Sequence, residues 1–300
     1  MYYILYGFLW LFSLLPLPVL YLLSDFVSFI LFRVFGYRRH VIENNLLIAF
    51  PEKTNEERKA IAKKFHRNFT DTFIETLKAL SKGEKFFNRH CQIDIAVLDR
   101  LAAEGKNCQM HACHQFNWEW INLHWATHTK QPLVVVYMPV ANKAIDKLFY
   151  NLRTRYGTVM LPATDIRNTF AVWRNKLHVL ALVADQKPGD PSHSHWLNFF
   201  NHPTPFVTGP ERNARAKKCA VVFGQAMKTG RGKYNTVMTL ACEDASLLQP
   251  GELTQMYVKF IEKIIRQQPE MYLWSHKRFK FEWNSSYKHL WIDTIPAPEN

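Results

Sequence analysis

The chain is short of acidic side chains. Its 300 residues hold 25 Asp and Glu against 38 Lys and Arg, a formal net charge of +13. That shortage speaks against a cationic partner and for an anionic one: nucleic acid, an acidic protein or a negatively charged membrane. The five cysteines, Cys91, Cys108, Cys113, Cys219 and Cys242, are odd in number and contain no C-x-x-C pair. A disulfide framework is therefore not expected, and reduced thiols facing the cytoplasm are. The chain has no internal repeat, no low-complexity tract and no nucleic-acid-binding motif, so nucleic acid is not an expected partner.

Charge is missing altogether from Met1 to Ser24; Asp25 is the first charged residue, and the apolar run then resumes through Phe32. That length meets the ~20 residues a membrane-spanning helix needs. The run has no basic start and no small-residue cleavage pattern, so a removable signal peptide is not expected. Pro16 and Pro18 interrupt it, which leaves a kinked span or a re-entrant hairpin open. Arg33, Arg38, Arg39 and His40 follow, and the positive-inside rule puts the rest of the chain in the cytoplasm. The expected division is a membrane anchor over 1–36 and a cytoplasmic-face domain over 37–300.

Pro51 to Ser81 reads as a helix. Thr54 and Glu57 make a capping box, and Ile61, Phe65, Phe69, Phe73, Leu77 and Leu80 recur at helical spacing. Arg58, Lys59, Lys63 and Lys64 lie off that stripe, as a solvated face or as a face resting on anionic headgroups. From Cys91 the pattern becomes α/β. Expected strands are Cys91–Val97, Asn107–Cys113, Leu133–Met138, Val159–Leu161, His178–Ala184, Ala220–Phe223 and Asn235–Leu240, with helices between most of them. This predicts a mainly parallel mixed sheet flanked by helices. Gly189 to Trp196 reads as a loop.

The stretch Asn107–Trp125 reads as strand, turn and helix, with His114 at the turn and Glu119 beyond it, four residues standing between the two (HQFNWE). A carboxylate on one ring nitrogen would fix the tautomer and leave the other as a base. With no serine in the arrangement, the nucleophile would be the substrate's own hydroxyl. By spacing alone this is also a common chance pattern around a structural histidine. Cys108, His111, Cys113 and His114 suggest a zinc site instead. On a strand, however, Cys108 and Cys113 point to opposite faces, and no second ligand pair follows.

His114, Asn117, Trp118 and Glu119 together resemble the lipid A late acyltransferase family, whose motif typically reads His-x-Gly-Asn-Trp-Glu. Phe116 stands here in place of the glycine. Further echoes run in order through the chain. They are the lead-in GYRRHVIENNLLIAFPEK, Tyr137-x-Pro139 with Asn142, the pair Arg153 and Arg155, Asp185-Gln186 at a strand end, Thr204–Thr208, and WSHKRFK at Trp274–Lys280. They cover about residues 1 to 280.

The resemblance implies a glycerolipid-acyltransferase-like fold and a membrane-bound O-acyltransferase at the bacterial inner membrane. Its donor would be an acyl thioester on acyl carrier protein and its acceptor a hydroxyl of a lipid A precursor, with no further cofactor and no metal. It makes His114 and Glu119 catalytic. Asn117, Arg153, Arg155, Asp185 and Gln186 would bind substrate, the arginines through phosphate or oxyanion, Asp185 and Gln186 through a sugar or hydroxyl. Read without the resemblance, each arginine fits a surface position and Asp185-Gln186 a loop cap. Trp196, Phe199, Phe200 and Phe206 form core or line an acyl channel, and WSHKRFK suits a headgroup interface. Rival readings are a zinc hydrolase, a non-catalytic membrane-tethered protein, and an acyltransferase for a glycerophospholipid or aminolipid.

Overall fold

The structure, a computed structural model, describes residues 2–299. Its strands are β1 (Cys91–Ile93), β2 (Cys108–Ala112), β3 (Leu133–Tyr137), β4 (Val159–Pro162), β5 (Val179–Val183), β6 (Ser194–Phe199), β7 (His202–Val207), β8 (Ala220–Gly230) and β9 (Lys233–Cys242). Seven of them make one sheet in the order β1-β9-β8-β2-β5-β3-β4. Every pairing in it is parallel except β8 with β9. The expected mainly parallel α/β sheet is the one found. Its inner strands are buried on both faces, which is why LVVVY and VLALV read as unbroken apolar runs.

The helices are α1 (Tyr2–Ser13), α2 (Leu17–Ser28), α3 (Arg39–Ala49), α4 (Asn55–Ala79), α5 (Glu84–His90), α6 (Ala96–Ala103), α7 (Trp118–His128), α8 (Lys143–Arg153), α9 (Ile166–Thr169), α10 (Gly209–Ala216) and α11 (Glu252–Gln267). On one sheet face Met110 of β2 packs with Ile121 and Trp125 of α7 and with Leu133, Val179 and Ala181. On the other, His111 and Phe223 meet Tyr257 of α11. Each such fully buried side chain contributes ~1.5–3 kcal/mol before the entropy of ordering it is counted.

The segment read as a loop, Gly189–Trp196, is partly strand. β6 and β7 form a separate antiparallel hairpin whose two-residue turn, Phe200-Asn201, has φ of 55° and 56°. Those are the angles of the mirror-image turns that suit hairpins. Pro203 and Pro205 are tolerated in β7 because a two-stranded sheet has only edges.

The capping box forms: Thr54 Oγ1 accepts from Glu57 N, and Glu57 accepts from Thr54 N. The buried side of α4 is not the apolar stripe alone, however. Phe73 is 53% exposed, while Asn68, Asp71, Thr72 and Glu75 are buried. Their neighbours explain this. After a break at Pro16, helix α2 runs antiparallel along α4 as a polar ladder. Tyr21 Oη donates to Glu75 at 2.7 Å, Ser24 Oγ to Asp71 at 2.7 Å, and Asp25 accepts from Arg67 at 3.1 Å. Phe32, on the π-helical turn that continues α2, stacks on His66 at 3.8 Å. At the corner, Lys78 Nζ donates to the carbonyls of Ser13 and Leu15 at 2.9 and 2.6 Å. It thereby satisfies acceptors that the end of α1 leaves open.

Candidate functional site

Parallel register builds the site. Ala112 of β2 is paired with Val183 of β5, so continuing each strand by two residues sets His114 beside Asp185. Both lie beyond the carboxyl ends of adjacent strands, where open α/β sheets place their ligands. His114 Nδ1 donates to Asp185 Oδ1 at 2.7 Å. Asp185 is 1% exposed and the imidazole 24%. Burial alone would raise the Asp185 pKa. The imidazole and the backbone amides of His114 and Asp185 outweigh it and hold the carboxyl below its ordinary range. Asp185 therefore stays ionised at neutral pH and keeps the ring proton on Nδ1. Nε2, the free acceptor, takes the Gln186 amide at 3.3 Å.

The expected partnership of His114 with Glu119 is not formed. Glu119 is 3% exposed and turned to Arg153, whose Nε and Nη2 reach its carboxylate at 2.9 and 2.5 Å. Trp118 Nε1 donates to it as well, at 3.0 Å. The reason is local. Helix α7 starts only at Trp118, so His114 lies outside it and the helical-turn reach assumed from the spacing does not apply. A bidentate guanidinium is also a stronger partner for a buried carboxylate than a distant imidazole.

The other expected site residues divide. Asp185, Gln186 and Arg153 gather around His114. Asn117 does not face the opening: it is fully buried and caps α7, accepting from Glu119 N and Trp120 N. Its amide donates to Glu75 at 2.8 Å, and Tyr234 Oη reaches the same oxygen at 2.7 Å. Arg155 is spent on the end of α4, donating to the carbonyls of Ala79, Leu80 and Lys82. It caps the end of that helix and does not line the cavity in front of His114. Phe116, the departure from the family glycine, is 1% exposed and fills the wall against Phe65, Phe69 and Trp118.

In the C-terminal run WSHKRFK, Trp274, Ser275 and Arg278 are buried, while Lys277 and Lys280 are exposed. Trp274 and Arg278 are at 0% and 1% exposure, and Asn45 Nδ2 donates to the carbonyls of Trp274 and His276. The segment just before it holds the His114 turn: Phe116 N donates to Met271 O and Leu273 N to His114 O, each at 3.1 Å. No feature of the sequence pointed to that pairing. Trp196, Phe199, Phe200 and Phe206 are core. Among the described residues, no three His, Cys, Asp or Glu side chains converge, and Cys108 and His111 lie on opposite faces of β2.

In front of His114 opens a cavity of about 600 Å³. Gln186, Arg153, Glu119 and Tyr137 lie at its polar end. It then runs between the sheet and α7 along Met110, Trp125, Leu133, Val135, Ala181 and Gly224. Gly224 matters there: a Cβ would stand 3.5 Å from both Met110 Sδ and Trp125 Cη2, so any larger side chain narrows the passage. Polar groups converging at the mouth of an apolar pocket are what an enzyme for an apolar-tailed substrate requires.

The family model described as bacterial lipid A biosynthesis acyltransferase matches residues 1–281. A lipid A biosynthesis lauroyltransferase of Escherichia coli K12 is 27% identical over 277 residues, 91% of this chain and 89% of its own length. A lipid A biosynthesis palmitoleoyltransferase of the same strain is 25% identical over 282 residues, with the same coverage of both chains. A lipid A biosynthesis acyltransferase of Shigella flexneri matches equally.

Proposed function

Because the chain belongs to the bacterial lipid A biosynthesis acyltransferase family, we propose that it transfers a fatty acyl chain from an acyl carrier protein thioester to a hydroxyl of a lipid A precursor. The observation that carries the reading is the His114–Asp185 pair, 2.7 Å apart, at the mouth of an apolar cavity. The acceptor hydroxyl takes the place of the Gln186 amide on His114 Nε2. As its oxygen attacks the thioester carbonyl, Nε2 receives its proton. The tetrahedral intermediate collapses by breaking the carbon–sulfur bond, and the imidazolium returns the proton to the departing thiolate. Asp185 stabilises the imidazolium throughout, the part first expected of Glu119. Glu119 instead holds the Arg153 guanidinium at the pocket mouth, where it meets the phosphate of the acceptor or the developing oxyanion. The acyl chain lies along Met110, Trp125 and Gly224.

The same reading makes the protein membrane-bound on the cytoplasmic face. Leu17–Val34 is long and apolar enough to cross a bilayer. Its polar ladder to α4, however, favours a hairpin lying in the interface. Leu22 and Phe26 of α2, 72% and 63% exposed, would face lipid. A basic surface would meet the acidic carrier protein, so carrier binding should weaken with salt. The testing experiment mixes enzyme with acyl-labelled carrier protein, first without acceptor and then with lipid A precursor. Label should move to the precursor and never to the enzyme. A stoichiometric acyl-enzyme would overturn direct attack, and acylation of a glycerophospholipid in preference to the precursor would overturn the acceptor.

A further inference from the structure

Behind the catalytic turn lies a second cavity, of about 890 Å³, walled by α2 and its π-helical continuation, by α4 and by the tip of the β8–β9 hairpin. It shares no lining residue with the cavity in front of His114. Its floor is already neutralised. Arg231 reaches Asp25 at 2.8 Å and Asp71 at 2.6 Å, and Lys228 Nζ lies 2.7 Å from Asn68 and 3.5 Å from Asp71. The rim is not. Arg33, Lys63 and Lys64 line it and are exposed, and among the described residues none of the three forms an ion pair with a carboxylate.

Three uncompensated cations at one mouth repel each other unless an anion sits between them. Apolar surface adjoins them: Phe32 forms a wall, and Phe29, 58% exposed, continues the lipid-facing side of α2. Burial, and then the neighbouring Arg33 charge, hold the His66 pKa down at about 4. The ring stacked on Phe32 is thus neutral and behaves as part of that wall. Cation rim, apolar wall and position beside the hairpin together describe the chemistry of an amphiphile with a phosphate head.

We propose that this groove holds the phosphorylated headgroup of an anionic bilayer phospholipid, distinct from the acceptor that meets His114. The assignment rests on the interfacial reading of the α1–α2 hairpin. The catalytic cavity lies on the far side of the Phe116–Met271 contact, so one lipid does not fill both. A headgroup clamped between α2 and α4 sets the depth of the hairpin and hence the height of the active-site mouth above the bilayer.

The test is vesicle flotation of the full-length protein diluted from neutral detergent, with phosphatidylglycerol or phosphatidylcholine vesicles. The variant Arg33→Gln/Lys63→Gln/Lys64→Gln is compared with Lys176→Gln/Lys217→Gln/Lys218→Gln, which removes as many exposed charges outside the groove. The wild type should prefer phosphatidylglycerol, and the groove variant should lose about 10²-fold of that preference, from roughly fivefold per cation over three cations. The control variant should lose far less. Equal loss in both variants would mean diffuse surface charge and would overturn the site. Full competition by inorganic phosphate at matched ionic strength would make the ligand a free anion and overturn the lipid assignment. An unchanged preference with a raised KM for lipid A precursor would give the groove to the acceptor instead. Binding to neither vesicle sinks the hairpin reading along with the proposal, whereas equal binding to both sinks the groove alone.

Discussion

Two cavities flank the turn His114–Phe116, and they are chemical opposites. The one in front is lined by methionine, tryptophan and branched aliphatic side chains from the sheet and α7, with a few polar groups at its mouth. The one behind is rimmed by cations from the π-helical continuation of α2 and from α4. On the function proposed above, the difference teaches how a single turn would serve a molecule that is half hydrocarbon and half headgroup. In that reading the transfer would take place in a dry, pre-shaped slot beside one base, and docking would use charge that stays solvated until lipid arrives. Beside that turn, Phe116 packs against Phe65 and Phe69.

The sharpest way to separate the two is His114→Ala. Transfer should fall by about 10²–10⁴-fold, the usual contribution of a positioned general base, with vesicle binding unchanged. Retention of full activity would remove His114 from the mechanism. Asp185→Asn comes next. An amide in place of the carboxylate leaves the imidazolium without its counter-charge and permits the wrong tautomer, so kcat should fall by about 10²-fold or more. Glu119→Gln should not reproduce that loss if Asp185 is the partner that matters. Equal loss in the two variants would return the role to Glu119.

Gly224→Val tests the front cavity alone. It should shift donor preference toward shorter acyl chains, about tenfold for each methylene no longer housed, read by competition between carrier-linked chains. An unchanged chain-length profile would place the acyl chain elsewhere. Arg153→Ala strands a buried carboxylate and should cost ~3 kcal/mol of stability, recovered in part by adding Glu119→Gln. Denaturant titration of the three variants measures this, and simple additivity would show the pair is not coupled.

Much of the framework was legible because it is local. A capping box is four residues long, and a buried parallel strand announces itself by composition, so α4 and the seven sheet strands could be read without knowing their neighbours. The pairing of His114 was not legible for the same reason. Counting along the chain offers Glu119, five positions on, but the partner is Asp185, 71 positions on, delivered by a sheet order that no stretch of sequence displays. Arg155 looked like Arg153 because they stand two residues apart. One lies inside the last turn of α8 facing the pocket, while the other, past its end, meets the carbonyls of α4. The β6–β7 hairpin was hidden by two prolines that only an edge strand accepts.

The smallest expected effect concerns Glu75. Burial holds its pKa above the ordinary carboxylate value, outweighing Lys228 and the hydrogen bonds from Tyr234, Asn117 and Tyr21. A carboxyl whose folded pKa is raised stabilises the fold at low pH and loses that contribution as pH rises through the folded value. Thermal midpoints taken from pH 5 to 8 should therefore decline more in the wild type than in Glu75→Gln. Parallel curves would show that Glu75 does not titrate in that window.

Glu75 is also a three-way junction. Tyr21 comes to it from the hairpin, Tyr234 from β9, and Asn117 from the first turn of the helix that follows His114. Trp120 Nε1 adds a fourth tie, to the Glu75 carbonyl. A chain beginning at Arg38 would lack one arm of that junction and would open a fully buried carboxyl to water, one residue contact away from the His114 turn. The apolar N-terminus is thus less a tether than a missing wall of the enzyme, and cutting it off does not yield the same machine in soluble form.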